Sequence, residues 1–550
     1  MDGWMGKALD FRNRSRIWNG WSVKTTGLGP ATLSMLAGVL GGIGCGVPHG
    51  WIYASVGLLL GCESVIASAR RGAARAAFAA TAFEAGWQVA SMWWVVLAVR
   101  PDGVTGGLWQ LLVITCACLI PVAWLQLAWL PLWWAARRIS QAQEPSWTLC
   151  ATAWWLARGC AATLTQIGTL TCPYGDVGVA LGQAEGVAHW LPWIGAQGVG
   201  WAATGLACAL VLARRRFREA AHARCAIFTV AGAAAAVLVG ALMPPGPVGA
   251  APMAATDVRL MALQPRIART GVWSMAERDR ALARLAGAVR AAPRGSILAT
   301  PESYLLQAAP AQPYGVWGDL VALAAARRVS LIVGMPWALR DPQGVHRLNA
   351  ALEVSQGRSW LYAKERLVPG GEYLPAPQVL GPLYRALLDG QDEGEVPAPV
   401  ELTGPLYAEG SQLGVSICNE QAFALTMAQR AHDANVLLNL AFDGWLPSRM
   451  YRNQMRSIAR VRAMEFGRPL LRVADDGASV LFDPVGRELH PVAASGDWAL
   501  FPSISAWSGQ TPYADAATWL AVAPLGAALL FVLRPLASIP RVFPLRRSSA

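Results

Sequence analysis

The chain has 550 residues, of which 54% are hydrophobic and only 15% charged, with 26 Trp, 55 Gly and a mean hydropathy of +0.34. Soluble domains carry about a quarter charged residues, so this composition excludes an intrinsically disordered chain and a wholly soluble enzyme, and places part of the protein in lipid. The net charge is +12, from 46 basic against 34 acidic residues, and the basic set is almost all arginine: lysine occurs only at 7, 24 and 364.

Residues 1–27 are charged and lack a cleavable apolar segment, which reads as a cytoplasmic N-terminal segment ahead of a retained first anchor. Apolar stretches of spanning length, about 20 residues, run over 28–47, 50–69, 78–99, 107–134, 148–166, 190–213 and 224–243, which predicts a seven-span domain over 28–243. Arg158 interrupts the fifth, and a charge at that depth is costly. With the N-terminus inside, Arg70, Arg71, Arg75, Arg137, Arg138 and the Arg214–Arg218 cluster all fall on the cytoplasmic side. Asp176 and Glu185 fall opposite, as the positive-inside rule requires. The positive charge therefore sets topology and calls for no nucleic-acid partner.

Pro and Gly punctuate residues 244–257 as a linker, beyond which the pattern changes to short strands and amphipathic helices. Strands are expected at 258–263, 296–299, 330–334, 348–354, 412–417, 435–440, 469–473 and 479–482, and helices at 274–292, 316–328, 421–434 and 453–466. That alternation over 258–510 fits one α/β domain of layered sheets and outer helices. An eighth span is expected at 516–536, with a cytoplasmic tail at 537–550.

Nine of the ten cysteines lie at or before Cys225, and only Cys418 lies beyond. A lone thiol cannot make a disulfide framework. With six scattered His and no paired Cys motif, no metal or cofactor is expected. Three strand ends carry reactive groups: Glu302 after an apolar strand, Lys364 after a short one, and Cys418 between a strand and the helix expected from Gln421. A lone Cys after a strand is more often a small core residue, and a lone Glu or Lys on a loop more often a solvated charge. Composition weighs against both. Where arginine fills nearly every cationic position, a surface role does not require lysine at 364, whereas a compact ammonium differs chemically from a guanidinium fork. A thiol at a helix N-terminus is expected to ionise more easily. Thiol, carboxylate and ammonium together form an acyl-transfer set.

The motifs Pro301-Glu302-Ser303, Tyr362-Ala363-Lys364 with Leu367-Val368-Pro369, Gly371-Glu372-Tyr373, Ile417-Cys418-Asn419-Glu420, Asp443-Gly444-Trp445 and the run Ala459 to Arg472 resemble the membrane-anchored branch of the nitrilase superfamily, of which apolipoprotein N-acyltransferase is the type. The resemblance covers nearly the whole chain. It implies a multi-pass α-helical membrane domain plus an extracytoplasmic α/β nitrilase-like (αββα) domain, in a bacterial inner membrane with the catalytic domain periplasmic. It assigns a Glu302, Lys364 and Cys418 triad supported by Glu372, with Glu420, Asn419 and Trp445 as further supporting or substrate-binding positions. The implied reaction takes an acyl chain from a phospholipid onto Cys418 as a thioester and passes it to the N-terminal amine of a diacylglyceryl-cysteine apolipoprotein. The sequence departs from the family at Asn419, where an aromatic residue is usual, at Phe442, where Asn is usual, at Asp475-Asp476, where amides are usual, and at Gly370. These departures leave open a TraB-like role in plasmid conjugal transfer, a membrane-bound amidase or carbon–nitrogen hydrolase with water as acceptor, and a silent scaffold. The stretch Leu374 to Leu402 is the expected mobile loop over the site, or else a solvated insertion.

Overall fold

The computed structural model describes residues 29–98, 103–139, 147–168, 173–216, 246–265, 274–306, 315–342, 344–369, 371–373, 394–444, 448–476 and 478–537, with isolated positions among 231–242 and at 378 and 446. The expected span 224–243 and the tail beyond 537 lie largely outside them.

The first half is helical: α1 (Pro30–Ile43), α2 (Gly50–Ala69), α3 (Ala73–Met92) continued by a 3-10 turn (Trp93–Ala98), α4 (Gly103–Ile139), α5 (Trp147–Ile167), the short α6 (Val177–Leu181) and α7 (Glu185–Ala188), and α8 (Leu191–Arg216). Among the described residues three helices are long and apolar enough to cross a membrane: Gly50–Ala69, Leu191–Arg215 and Pro512–Arg534. Asp176 starts α6, its Oδ1 accepting from Gly178 N and Val179 N at 2.6 and 3.1 Å, which satisfies two otherwise unpaired donors. Near its start α8 kinks at Gly195, where φ is 63° and a Cβ would lie 2.3 Å from the Tyr513 ring, so only glycine fits.

The second half folds as two stacked sheets. Its elements are β1 (Ala250–Leu263), α9 (Met275–Ala291), β2 (Ser296–Ala299), α10 (Gly315–Arg327), β3 (Val329–Asp341), β4 (Gly344–Ser355), β5 (Arg358–Ala363), β6 (Leu406–Ala408), β7 (Ser411–Ile417), a 3-10 turn (Cys418–Ala422), α11 (Ala424–His432), β8 (Val436–Ala441), α12 (Arg449–Phe466), β9 (Leu470–Ala474), β10 (Val480–Phe482), β11 (Glu488–Leu489), β12 (Ala493–Ala494), β13 (Trp498–Leu500), β14 (Ile504–Gly509) and α13 (Pro512–Ala537). One sheet runs β12-β13-β1-β2-β3-β4-β5, with β14 also on β1, and the other β11-β10-β9-β8-β7-β6. The pairs β1–β2, β2–β3, β7–β8 and β8–β9 are parallel.

The period of two in each strand divides the core. Leu260, Ile297, Ile332, Val415, Leu438 and Leu471 meet between the sheets. Met261, Leu298 and Leu331 point the other way, onto α9 and α10, and Leu437 and Leu470 point onto α11 and α12. Helix α9 begins with a capping box in which Ser274 Oγ accepts from Glu277 N while Glu277 Oε2 accepts from Ser274 N. Buried layers of helix, sheet, sheet and helix result, the αββα arrangement expected.

Helix α12 is buried on two faces. Ala459, Ala463 and Phe466 pack toward the sheet, whereas Met455, Ile458 and Val461 join the core of the helical half. Polar contacts fix the joint: Gln454 Nε2 donates to Ser91 O at 2.7 Å, Asn453 Nδ2 to Gly46 O at 3.0 Å, and Ala196 N, beside the α8 kink, to Glu465 Oε1 at 2.5 Å. The buried Glu465 also pairs with Arg462, whose Nε donates to Gln421 O at 2.8 Å. The turn carrying Cys418 is thereby wired to a helix of the apolar half.

Candidate active site

Beside the site the backbone enters the left-handed region at two non-glycine residues, Ser303 with φ 48°, next to Glu302, and Cys418 with φ 51°. Such residues cost about 1–3 kcal/mol each and persist where the surroundings over-determine them. At the first elbow the Pro301–Ser303 turn lies against β3 so closely that a Cβ on Gly334 would sit 2.2 Å from Pro301 O. At the second, Asn439 Nδ2 on β8 donates to Ser416 Oγ and to Cys418 O at 3.0 and 3.2 Å.

The structure brings Glu302, Lys364, Glu372 and Cys418 together, all from different strand ends or loops. Lys364 is completely buried, and its Nζ donates to Glu302 Oε1 at 3.0 Å and to Glu372 Oε1 at 2.5 Å. Glu302 Oε1 also accepts from Asn349 Nδ2 at 2.8 Å, and its Oε2 from Phe442 N at 3.2 Å. Glu372 Oε2 accepts from Val368 N at 2.7 Å. Burial alone would lower the lysine's pKa, but the Glu302 and Glu372 charges outweigh it and hold the ammonium well above its ordinary range. Glu372 itself is pushed up by burial, opposed by Lys364. The Cys418 thiol is pushed well above its ordinary value, by burial first and by the Glu302 charge second, with Lys364 opposing. The expected easing of ionisation at a helix N-terminus is thus overturned. A 3-10 turn separates Cys418 from α11, which begins only at Ala424, and the buried site disfavours a resting thiolate. A reaction at this thiol would need a neighbouring base to take its proton.

Glu420 is fully buried and ties the nucleophile's turn to the lysine's loop: its Oε2 accepts from Ile417 N and Tyr362 Oη at 2.7 Å each, and its Oε1 from Glu365 N at 2.8 Å and Arg366 N at 3.1 Å. Asn419 is buried, and neither side-chain polar atom has a hydrogen-bond partner among the described residues. Trp445 lies outside the described residues, as do Gly370 and nearly all of 374–393. The end of that expected loop is pinned rather than free: Glu395 N donates to Glu372 O at 2.8 Å and Ala398 N to Lys364 O at 2.9 Å. No cluster of three metal-ligating side chains occurs among the described residues.

Three residues near the site were not singled out from sequence: Asn349, Asn439 and Tyr451, whose Oη lies 4.0 Å from Cys418 Sγ. The two asparagines had a legible signal, each being a lone amide inside an apolar strand, Leu348-Asn349-Ala350 and Leu438-Asn439-Leu440. Below the site Asp443 and Arg472 form a buried two-point pair at 2.7 and 2.8 Å. Asp475 Oδ1 accepts from Asp443 N and Gly444 N at 2.8 and 2.9 Å.

Residues 270–500, which hold the carboxylate, ammonium and thiol at the strand ends of two stacked sheets, match the carbon-nitrogen hydrolase family. Over those residues the chain is similar to that family. The chain is also similar to apolipoprotein N-acyltransferases: it is 32% identical over 212 residues to the one from Azotobacter vinelandii, covering 38% of this chain and 40% of the relative. To the one from Pseudomonas aeruginosa it is 30% identical over 220 residues, covering 40% of this chain and 42% of the relative. The chain thus matches well under half the length of these relatives. A solved amidase from Nesterenkonia sp. aligns over 46% of this chain and 92% of its own, at 16% identity and a TM-score of 0.30. A score that low carries no weight, and the fold rests on the strand order above.

Proposed function

We propose that the chain transfers an acyl group from a phospholipid to the N-terminal amine of a diacylglyceryl-cysteine apolipoprotein. The single observation that carries this reading is the buried Glu302–Lys364–Glu372 cluster facing Cys418, in a domain about 30% identical to apolipoprotein N-acyltransferases. The helical half would hold the protein in a bacterial inner membrane with the catalytic domain on the periplasmic side, within reach of two lipid substrates.

Glu302 takes the proton of Cys418 as its sulfur attacks the ester carbonyl carbon. Lys364 spends two of its three N–H donors on Glu302 and Glu372, and the third faces the developing oxyanion. As the tetrahedral species collapses, Glu302 returns the proton to the departing lysophospholipid alcohol and a thioester remains. The α-amine then attacks the thioester carbonyl, Glu302 takes its proton and passes it to the departing Cys418 sulfur, and an amide forms. The high thiol pKa suits this sequence, because a free thiolate would be a standing charge in a buried site.

Complementation of a strain depleted of its own apolipoprotein N-acyltransferase, with N-acylation of a model lipoprotein read by mass spectrometry, tests the reading. Well-expressed protein that leaves the lipoprotein diacylated overturns it.

A further inference from the structure

The triad makes no use of Arg158, the charge that interrupts the fifth apolar stretch. Its side chain is nine-tenths buried, and its guanidinium lies over the rings of Phe83, Trp87 and Trp154 at 5.1, 5.5 and 5.6 Å. The nearest carboxylate, Glu84 Oε2, is 3.6 Å from its Nη2, too far for a hydrogen bond. Gln88 Nε2 donates to the other Glu84 oxygen at 3.1 Å. Among the described residues Arg158 Nη1, Glu84 Oε2 and Gln88 Oε1 are all buried without a hydrogen-bond partner. Removing two charges from water costs several kcal/mol per ion and is repaid only by close, fully hydrogen-bonded geometry. This pair does not have that geometry, so it does not serve simply to clamp two helices.

All three side chains line one cavity of about 90 Å³ between α3, α5, α6 and α8, with Tyr174, Asp176 and Gln166 on its wall. One water needs about 10–15 Å³ of such space, so the cavity takes a polar group several times larger. Its charges are one guanidinium against two carboxylates, Glu84 and Asp176. An anion alone would meet the carboxylates and a cation alone would meet Arg158. A group carrying both, phosphate toward Arg158 and ammonium toward Glu84 and Asp176, satisfies the unpartnered atoms at once.

We infer that this cavity binds an amine-and-phosphate group, the head group of a zwitterionic phospholipid, at a site separate from the triad. The site adjoins the catalytic half. Gln166 Oε1 accepts from Ala424 N at 2.7 Å, and the rings of Tyr174 and Trp94 meet at 5.3 Å, those of Trp94 and Tyr451 at 4.7 Å, with Tyr451 Oη beside Cys418. A seated head group would brace the wall against which the nucleophile's turn is built.

The test uses full-length Cys418→Ala protein, in which no acyl chain is consumed, so that failure here leaves the acyl-transfer reading standing and the reverse. Lipid occupancy is read by native mass spectrometry with phosphatidylethanolamine, phosphatidylglycerol and soluble phosphoethanolamine. The expected result is about tenfold tighter retention of the ethanolamine lipid than of the glycerol lipid. The preference should vanish in an Arg158→Gln, Glu84→Gln double variant, which removes both charges together and so leaves neither stranded. Equal retention of the two lipids, or an undiminished preference in the double variant, overturns the inference. Soluble phosphoethanolamine should compete only weakly; competition as strong as the lipid's would assign the cavity to a free metabolite and overturn the lipid assignment.

Discussion

Lys364 Nζ donates to Glu302 Oε1 across 3.0 Å from a position with no solvent exposure, and this pairing fixes both the lysine's charge and the carboxylate's orientation. The chain's one lysine beyond residue 24 stands between two carboxylates, where a planar guanidinium fork does not reproduce the ammonium's single-point geometry. In Lys364→Arg we expect acyl-enzyme formation to fall by about 10²–10³-fold with the fold intact, read by single-turnover mass spectrometry. Near-normal turnover in that variant would contradict the site's assignment.

Glu420 accepts from four donors at 2.7–3.1 Å, which suits it to hold Cys418 and Lys364 in place. Glutamine at this position turns one acceptor into a donor facing protein donors. Glu420→Gln should lower kcat by about 10–100-fold through misplacement of Cys418 and Lys364, at little cost to KM. An effect confined to KM would mean that Glu420 touches substrate instead.

The Asp443–Arg472 pair is buried and bonded at two points. Breaking one side strands a charge, at a cost of about 3–5 kcal/mol. Asp443→Asn should lower the Tm by roughly 10 °C, and the Asp443→Leu, Arg472→Met double variant should recover much of it. Thermal unfolding in detergent checks both.

Asp475 is pushed up to about 7, by burial first, with the backbone bond from Gly444 opposing and the Asp443 charge adding to the rise. A raised carboxyl binds its proton in the folded state where the unfolded chain has released it. Its contribution to stability is therefore full below its ordinary value of 3.8 and is lost as pH rises through 7. Asp475→Asn can keep both backbone bonds without that loss. The variant should unfold at a higher temperature than the parent at pH 8 and at the same temperature below pH 3.8. A pH-independent difference would assign the effect to packing.

The apolar runs at 296–299, 412–417 and 435–440 were legible as strands because they are buried on both faces, and the groups that end them, Glu302 and Cys418, follow directly. Lys364 was legible from composition. Strand β3 runs on to Asp341, past the expected end at 334, because Pro336, which reads as a breaker, sits inside a long hairpin with β4. Helix α12 starts at Arg449, ahead of the expected 453, since Ser448 caps it by accepting from Tyr451 N at 3.3 Å. The environment of Cys418 was not legible. Its raised pKa arises from burial first and from Glu302, 116 positions away, second, and Tyr451 beside it comes from a helix shared with the other half; a local window contains none of these.

Acyl transfer through Cys418 is read in the intact mass of the purified protein after incubation with phospholipid, followed by addition of a diacylglyceryl-cysteine peptide. The expected result is a mass gain of one acyl chain on Cys418, absent in Cys418→Ala, that disappears as the peptide becomes N-acylated. An adduct that persists in Cys418→Ala, or one released only as free fatty acid in the presence of peptide, would contradict it.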